Sequence, residues 1–164
     1  MKNNEKRMNL KKFSSYAVVL TAMAALLGAC SGGTVYDQYD HTPLSGWEKN
    51  DTLSFDIPPM KHTALYREEL GLRINGAFPF KSLQLIVEQK FLASKKIRRD
   101  TLNCRLIDND GNVKGRGVSF YQYQFHIDDM EIEQGDSLRI NIRHNMKREI
   151  LPGIADVGIK FTRR

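Results

Sequence analysis

Cysteine is scarce in this chain: Cys30 and Cys104 are the only two in 164 residues. Two thiols so far apart do not make the stapled scaffold of a small secreted domain, and a domain of this length can build a core without one. Long apolar runs are scarce too. The best of them, Tyr16 to Leu27, falls short of the roughly 20 apolar residues that span a bilayer. Helical periodicity is nearly missing after residue 30, and Ala64 to Leu70 is the best candidate for a helical turn. Patterns that carry chemistry are missing as well. No histidine pair has H-E-x-x-H spacing, no G-x-S-x-G elbow surrounds a serine, and Gly115-Arg116-Gly117 lacks the strand-to-helix setting of a phosphate loop. Nothing here supports an enzyme, and no catalytic residue, cofactor or metal is expected.

Two further candidates have plain explanations. Asp108-Asn109-Asp110-Gly111-Asn112 opens like a calcium loop, but its twelfth position is Ser119, where such a loop needs Glu. A turn rich in Asp, Asn and Gly is the simpler reading. His126 and His144 lie on strand-like segments, where a hydrogen-bonded structural histidine is expected. The net charge of +6 suggests nucleic acid at first sight. Five basic residues and one acidic residue precede Cys30, however. Removing them from the 25 basic and 19 acidic residues leaves 20 and 18, a net +2. The short run Lys95-Lys96-Ile97-Arg98-Arg99 reads as a solvated loop, whereas a nucleic-acid footprint is basic over a whole face. No nucleic-acid partner is expected.

What is present begins at the N-terminus. Lys2, Lys6, Arg7, Lys11 and Lys12 form a positive region, the short apolar run follows, and Leu27-Gly28-Ala29-Cys30 closes it with small residues ahead of a cysteine. That order is a secretory signal ending in a bacterial lipobox. Residues 1–29 are expected to be removed and Cys30 to carry lipid, which makes the membrane a partner through that anchor. Two or three acyl chains hold firmly where one does not, since each buried CH₂ contributes about 0.8 kcal/mol. Ser31, Gly32 and Gly33 follow, with no acidic residue directly after the cysteine. The placement expected from this is the outer membrane, facing the periplasm.

Residues 30–45 read as a lipid-anchored tether, although Val35, Tyr36 and Tyr39 have strand character and leave its order open. From 46 to 164 the chain alternates. Leu53, Phe55 and Ile57 share one face, and the strand stops hard at Pro58-Pro59. Leu70, Leu72 and Ile74 repeat the pattern, as do Leu83, Leu85 and Val87. Leu102, Cys104 and Leu106 give another strand, which makes Cys104 a core residue. Strands also follow after Gly117, at Leu138 to Ile142, and at Val157 to Phe161. Trp47, the only tryptophan, is expected as a lid on the core. Tyr121, Tyr123 and Phe125 share a face and cover either the core or a ligand. Seven or eight short strands predict an all-β protein, an antiparallel β-sandwich, with jelly-roll order favoured over immunoglobulin-like order. Long connections near 58–68, 91–100 and 143–154 are expected to cross between the sheets.

Several blocks occur in a telling sequence. The lipobox is followed by Trp47-Glu48-Lys49-Asn50-Asp51 and the Thr52 to Pro58 strand. Next come Tyr66-Arg67, Leu72-Arg73-Ile74, Pro79-Phe80 and Asp100-Thr101, then Asp110-Gly111 through Gly115-Arg116-Gly117. The longest block is Met146-Lys147-Arg148-Glu149-Ile150-Leu151-Pro152-Gly153-Ile154, closed by Asp156-Val157-Gly158-Ile159. In these residues the chain resembles the gliding-motility lipoprotein family GldH of the Bacteroidota, over nearly the whole mature domain. The resemblance implies a cell-envelope accessory lipoprotein associated with gliding motility and the type IX secretion machinery, without catalytic activity. It offers no catalytic residues to carry over.

Within the last block, Arg148 and Glu149 precede a Pro152-Gly153 turn. An exposed ion pair contributes only about 0–1 kcal/mol, so stability hardly accounts for so charged a connection. These two residues are the candidate interface for an envelope protein partner. A carbohydrate- or glycan-binding module on a jelly-roll frame is the alternative, and an exposed concave face bearing aromatics would favour it.

Overall fold

The computed structural model describes residues 33–164. Ten strands follow in chain order: β1 Thr34–His41, β2 Trp47–Glu48, β3 Leu53–Ile57, β4 Ala64–Asn75, β5 Ser82–Phe91, β6 Ile97–Arg105, β7 Phe120–Ile132, β8 Leu138–His144, β9 Ile150–Leu151 and β10 Ile154–Arg163. They form two four-stranded sheets, β1-β10-β4-β7 and β3-β8-β5-β6, and a small ribbon of β2 with β9. Every pairing is antiparallel. Counting only the eight long strands, the sheets run first-eighth-third-sixth and second-seventh-fourth-fifth. That is jelly-roll order.

Period-2 alternation produces the two layers. Leu70, Leu72 and Ile74 of β4 and Val157, Ile159 and Phe161 of β10 are buried from one sheet. Phe55 of β3, Leu83, Leu85 and Val87 of β5, and Ile140 and Ile142 of β8 are buried from the other. One face packs while the other stays wet. Trp47 is 0% exposed and closes one end of the core, its indole N–H donating to the Asp51 carbonyl at 3.1 Å. Cys104 is also fully buried, and burial pushes its thiol up to about 12.

Within residues 30–45, whose order the sequence leaves open, Thr34 to His41 is strand: β1 pairs with β10 and forms an edge of the first sheet. Only Tyr36 of this strand is buried, so no alternation announces it. Ala64 to Leu70 is not a helical turn but the first half of β4. Tyr66, Glu68 and Leu70 all point inward, and the inward glutamate breaks the apolar rhythm. The basic run at 95–99 is a loop only at Lys95 and Lys96. Ile97, Arg98 and Arg99 belong to β6, where Arg98 pairs with Asp128 of β7 and thereby ties the edges of the two sheets. The crossing expected at 58–68 is shortened to 58–63, and the one expected at 91–100 is no crossing at all, since 92–96 is the hairpin between β5 and β6 of the same sheet.

The register sorts the connections into two ends. At the first end lie Gly33, residues 58–63, 92–96 and 133–137, and the C-terminus. Backbone hydrogen bonds stitch this end together: Met60 N to Asp136 O at 2.8 Å, Leu92 N to Ser137 O at 3.0 Å and Arg163 N to Gly33 O at 2.6 Å. At the other end lie residues 42–52, 76–81, 106–119 and 145–153.

Candidate functional site

Arg148 and Glu149 stand at the end away from Gly33, on the bend leading into β9. Ile150 and Leu151 pair with Glu48 and Trp47, and Lys49 N donates to Glu149 O at 2.8 Å. The turn that follows is held rigidly. Gly153 has φ +83°, and a Cβ there would lie 2.8 Å from the Ala77 carbonyl carbon. Its own carbonyl accepts from Asn75 N at 2.8 Å. Proline fixes φ one residue earlier, so Pro152-Gly153 fits this place where an L-residue would strain.

Two magnitudes decide what holds this segment. Lys49 Nζ lies 3.9 Å from Glu149 Oε1, with both side chains open to water; such a pair contributes about 0–1 kcal/mol. Leu151, fully buried beneath it, contributes about 1.5–3 kcal/mol. The ribbon is therefore held by Leu151 and Trp47 and not by its charges. Arg148 is exposed. Ile150 is 44% exposed beside Gly46, and Leu44, on the adjoining loop, is fully exposed. Ile150 is thus an exposed apolar side chain next in sequence to the charged Arg148 and Glu149. Arg148 and Glu149 do not pair with each other among the described residues; Glu149 reaches Lys49 instead.

His144 lies beneath this ribbon. It meets the Trp47 ring edge-on at 5.4 Å, and burial holds its pKa below the ordinary histidine value. His126 is exposed and sits 3.7 Å from Asp129. The Asp108 carboxylate accepts the backbone N–H groups of Asn112 at 2.8 Å and Asp110 at 2.9 Å. Those bonds, Asn112 first, hold it below the usual carboxylate range. It closes its own turn. Tyr123 and Phe125 stack at 6.1 Å, Gly115 lies against Tyr123 and Tyr121, and all three rings pack in or against the core, so the aromatic ladder covers it. Cys30 and the signal segment 1–29 lie outside the described residues.

Two features escaped the sequence reading. Asp156 is 3% exposed and receives Arg73 at 3.1 Å, with His41 on its other oxygen. Arg73 also lies over the Phe120 ring, 5.0 Å from its centroid. The second feature is Tyr39, whose ring lies across the outer face of the first sheet. Tyr39, Gly158, Gly71 and Gln124 occupy one cross-strand row. A Cβ on Gly158 would lie 2.6 Å from Tyr39 Cδ1, and one on Gly71 would overlap the Tyr39 hydroxyl. The only sequence signal for it is a lone glycine inside each of two alternating strands, a mark of close approach.

The chain is similar to known proteins in sequence and, distantly, in shape. It is 27% identical over 153 residues to the gliding motility lipoprotein GldH of Flavobacterium johnsoniae, covering 89% of this chain and 95% of that one. Among solved structures, a carbohydrate-binding module specific for non-crystalline cellulose superposes with a TM-score of 0.43 at 8% identity, over 78% of this chain and 72% of that one. A family 35 carbohydrate-binding module from Clostridium thermocellum superposes with a TM-score of 0.38 at 13% identity, over 78% and 88%. A family model described as GldH lipoprotein matches residues 34–161. That match takes in all of the sandwich but the last two residues of β10, and the chain belongs to the GldH lipoprotein family.

Proposed function

We propose that this lipoprotein is a non-enzymatic accessory component of the gliding-motility and type IX secretion machinery, acting through protein–protein contacts. In this reading Cys30 carries the lipid, the outer membrane holds it, and the domain faces the periplasm. Arg148 and Glu149 meet an envelope protein partner.

The observation that carries the reading is the opposition of the two ends. Three residues separate Cys30 from Thr34, so the sandwich hangs at most about 14 Å from its anchor. The anchored end bears Lys61, Lys95, Lys96, Arg163 and Arg164 against Glu133 and Asp136, a basic excess that suits an anionic headgroup layer. The Arg148–Gly153 segment lies at the far end. With strands of the length of β4, the two ends of the sandwich are roughly 35 Å apart. A rigid turn there, holding charges that stability does not require, suits presentation to a partner.

The test pairs two measurements on the Arg148→Ala, Glu149→Ala double variant: thermal unfolding, and recovery of cross-linked partners from the protein's own membranes. Unchanged melting with loss of partners supports the interface. Unchanged melting with the same partners removes these residues from it. Anchoring is tested separately, because Cys30→Ser should abolish labelling by a clickable palmitate.

A further inference from the structure

The Tyr39 ring is a platform that the far-end interface does not use. Its position is set by two glycines. Gly158 and Gly71 leave the centre of the outer face bare, and the ring fills that strip, in contact with both strands. One ring face rests on backbone, yet the residue remains 47% exposed. An aromatic held flat this way loses little rotamer freedom when something stacks on it.

A wall rises beside the platform. Residues 106–119 fold against the edge strand β7, where Arg116 and Gln122 exchange backbone hydrogen bonds at 3.0 and 2.8 Å. Lys114 is fixed by its N–H to the Leu106 carbonyl at 2.9 Å. Arg105, the last residue of β6, approaches from the second sheet. Together with Tyr39, Gln122, Tyr123, Gln124 and Phe125 these residues line a groove of about 450 Å³. No carboxylate lines it. Three acidic residues of the surrounding sheet are paired elsewhere, Asp156 with Arg73, Asp128 with Arg98 and Asp129 with Arg67, whereas burial raises the pKa of the Tyr39 hydroxyl and Asp37, Asp156 and Glu69 add to that rise. One row away, Asp37 and Glu69 flank Lys160 by register.

We propose that this groove binds an acidic carbohydrate, a sugar bearing a carboxylate or phosphate. The apolar face of the sugar ring stacks on Tyr39, as sugars stack on exposed aromatic planes. The amides of Gln122 and Gln124 each offer a donor and an acceptor to hydroxyls. Arg105, Lys114 and Arg116 take the anionic group, the guanidinium forks matching carboxylate or phosphate oxygens. The groove volume suits a small ligand of one or two rings. A nucleic acid would need a basic face far wider than three side chains.

The experiment titrates the mature lipidated protein in detergent with trigalacturonate, with glucose 6-phosphate and, as a neutral control, with cellotriose, by calorimetry. Binding of either acidic sugar, at least about tenfold tighter than cellotriose, is the expected result, and the two arms separate carboxylate from phosphate recognition. Tyr39→Ala should weaken that binding about tenfold or more, Tyr39→Phe should restore it, and added salt should weaken it. Arg116→Gln, a surface change that leaves the platform in place, should also weaken it. Failure of both acidic sugars to bind would overturn the proposal. So would binding untouched by Arg116→Gln, or an undiminished affinity in folded Tyr39→Ala.

Discussion

Glu68 of β4 and Gln89 of β5 meet across the core, the Gln89 amide donating to the Glu68 carboxyl from the opposite sheet. Both residues are almost fully buried. Burial is the main cause that pushes Glu68 up to about 8. The Gln89 hydrogen bond and Arg98 of β6 act against it, while Asp128 of β7 and Asp100 of β6 add to it. A carboxyl so placed is neutral at pH 7, which avoids a buried unpaired charge.

The pH dependence of stability follows from this. An unfolded glutamate titrates near 4.3, so between there and about 8 the folded state holds a proton that the unfolded state has lost. Stability therefore falls as pH rises through this window, by up to about 1.4 kcal/mol per unit. Glu68→Gln should flatten that slope, and its advantage over the parent should grow from pH 5 toward pH 8. Urea unfolding across that range checks it. Parallel curves for the two proteins would show that Glu68 is charged or exposed.

The same residue masks one strand in the sequence. Tyr66, Glu68 and Leu70 form a regular inward row, but a charged letter in an inward slot hides the alternation, and Ala64 to Leu70 then looks like a helical turn. The stretches Leu53 to Ile57, Leu70 to Ile74, Leu83 to Val87, Leu102 to Leu106, Leu138 to Ile142 and Val157 to Phe161 were legible because the alternating inward letters within them are all apolar. β1 was legible only in the strand character of Val35, Tyr36 and Tyr39, since an edge that buries only Tyr36 has no rhythm to read. The Tyr39 platform needs the register of four strands, which brings Gly158 beside Gly71, and no local pattern encodes that. The Arg148–Glu149 segment stood out for an opposite reason: its charges exceed anything that packing requires.

Cys104→Ala removes a fully buried sulfur and leaves a small cavity. The expected cost is about 1 kcal/mol. In the folded parent protein the thiol should resist maleimide labelling and react only on unfolding, because burial raises its pKa and shields it. Chemical denaturation and a labelling time course measure the two effects. Rapid labelling in the folded state would contradict the register of β6 with β5.

Gly153→Ala is expected to be the more damaging small change. It places a Cβ at φ +83° and drives it into the backbone of Ala77 and Phe78. A cost of about 1–3 kcal/mol is expected, with the 76–78 loop displaced. Gly135→Ala is the matched control, since its φ is +90° but nothing stands within 4 Å of its Cβ. The difference in melting temperature between the two variants isolates the contact from the backbone strain. Equal melting would mean the Pro152-Gly153 turn is not pinned to that loop.

The opposition of anchored end and partner end is tested most directly by photo-crosslinking in living cells. A photoreactive amino acid replaces Arg148 in one strain and Lys95 in another, with Cys30 intact. The account predicts a discrete protein adduct from position 148 and lipid labelling from position 95, with the adduct at 148 lost in the Cys30→Ser background. Lipid labelling from position 148, or a protein adduct confined to position 95, would contradict it.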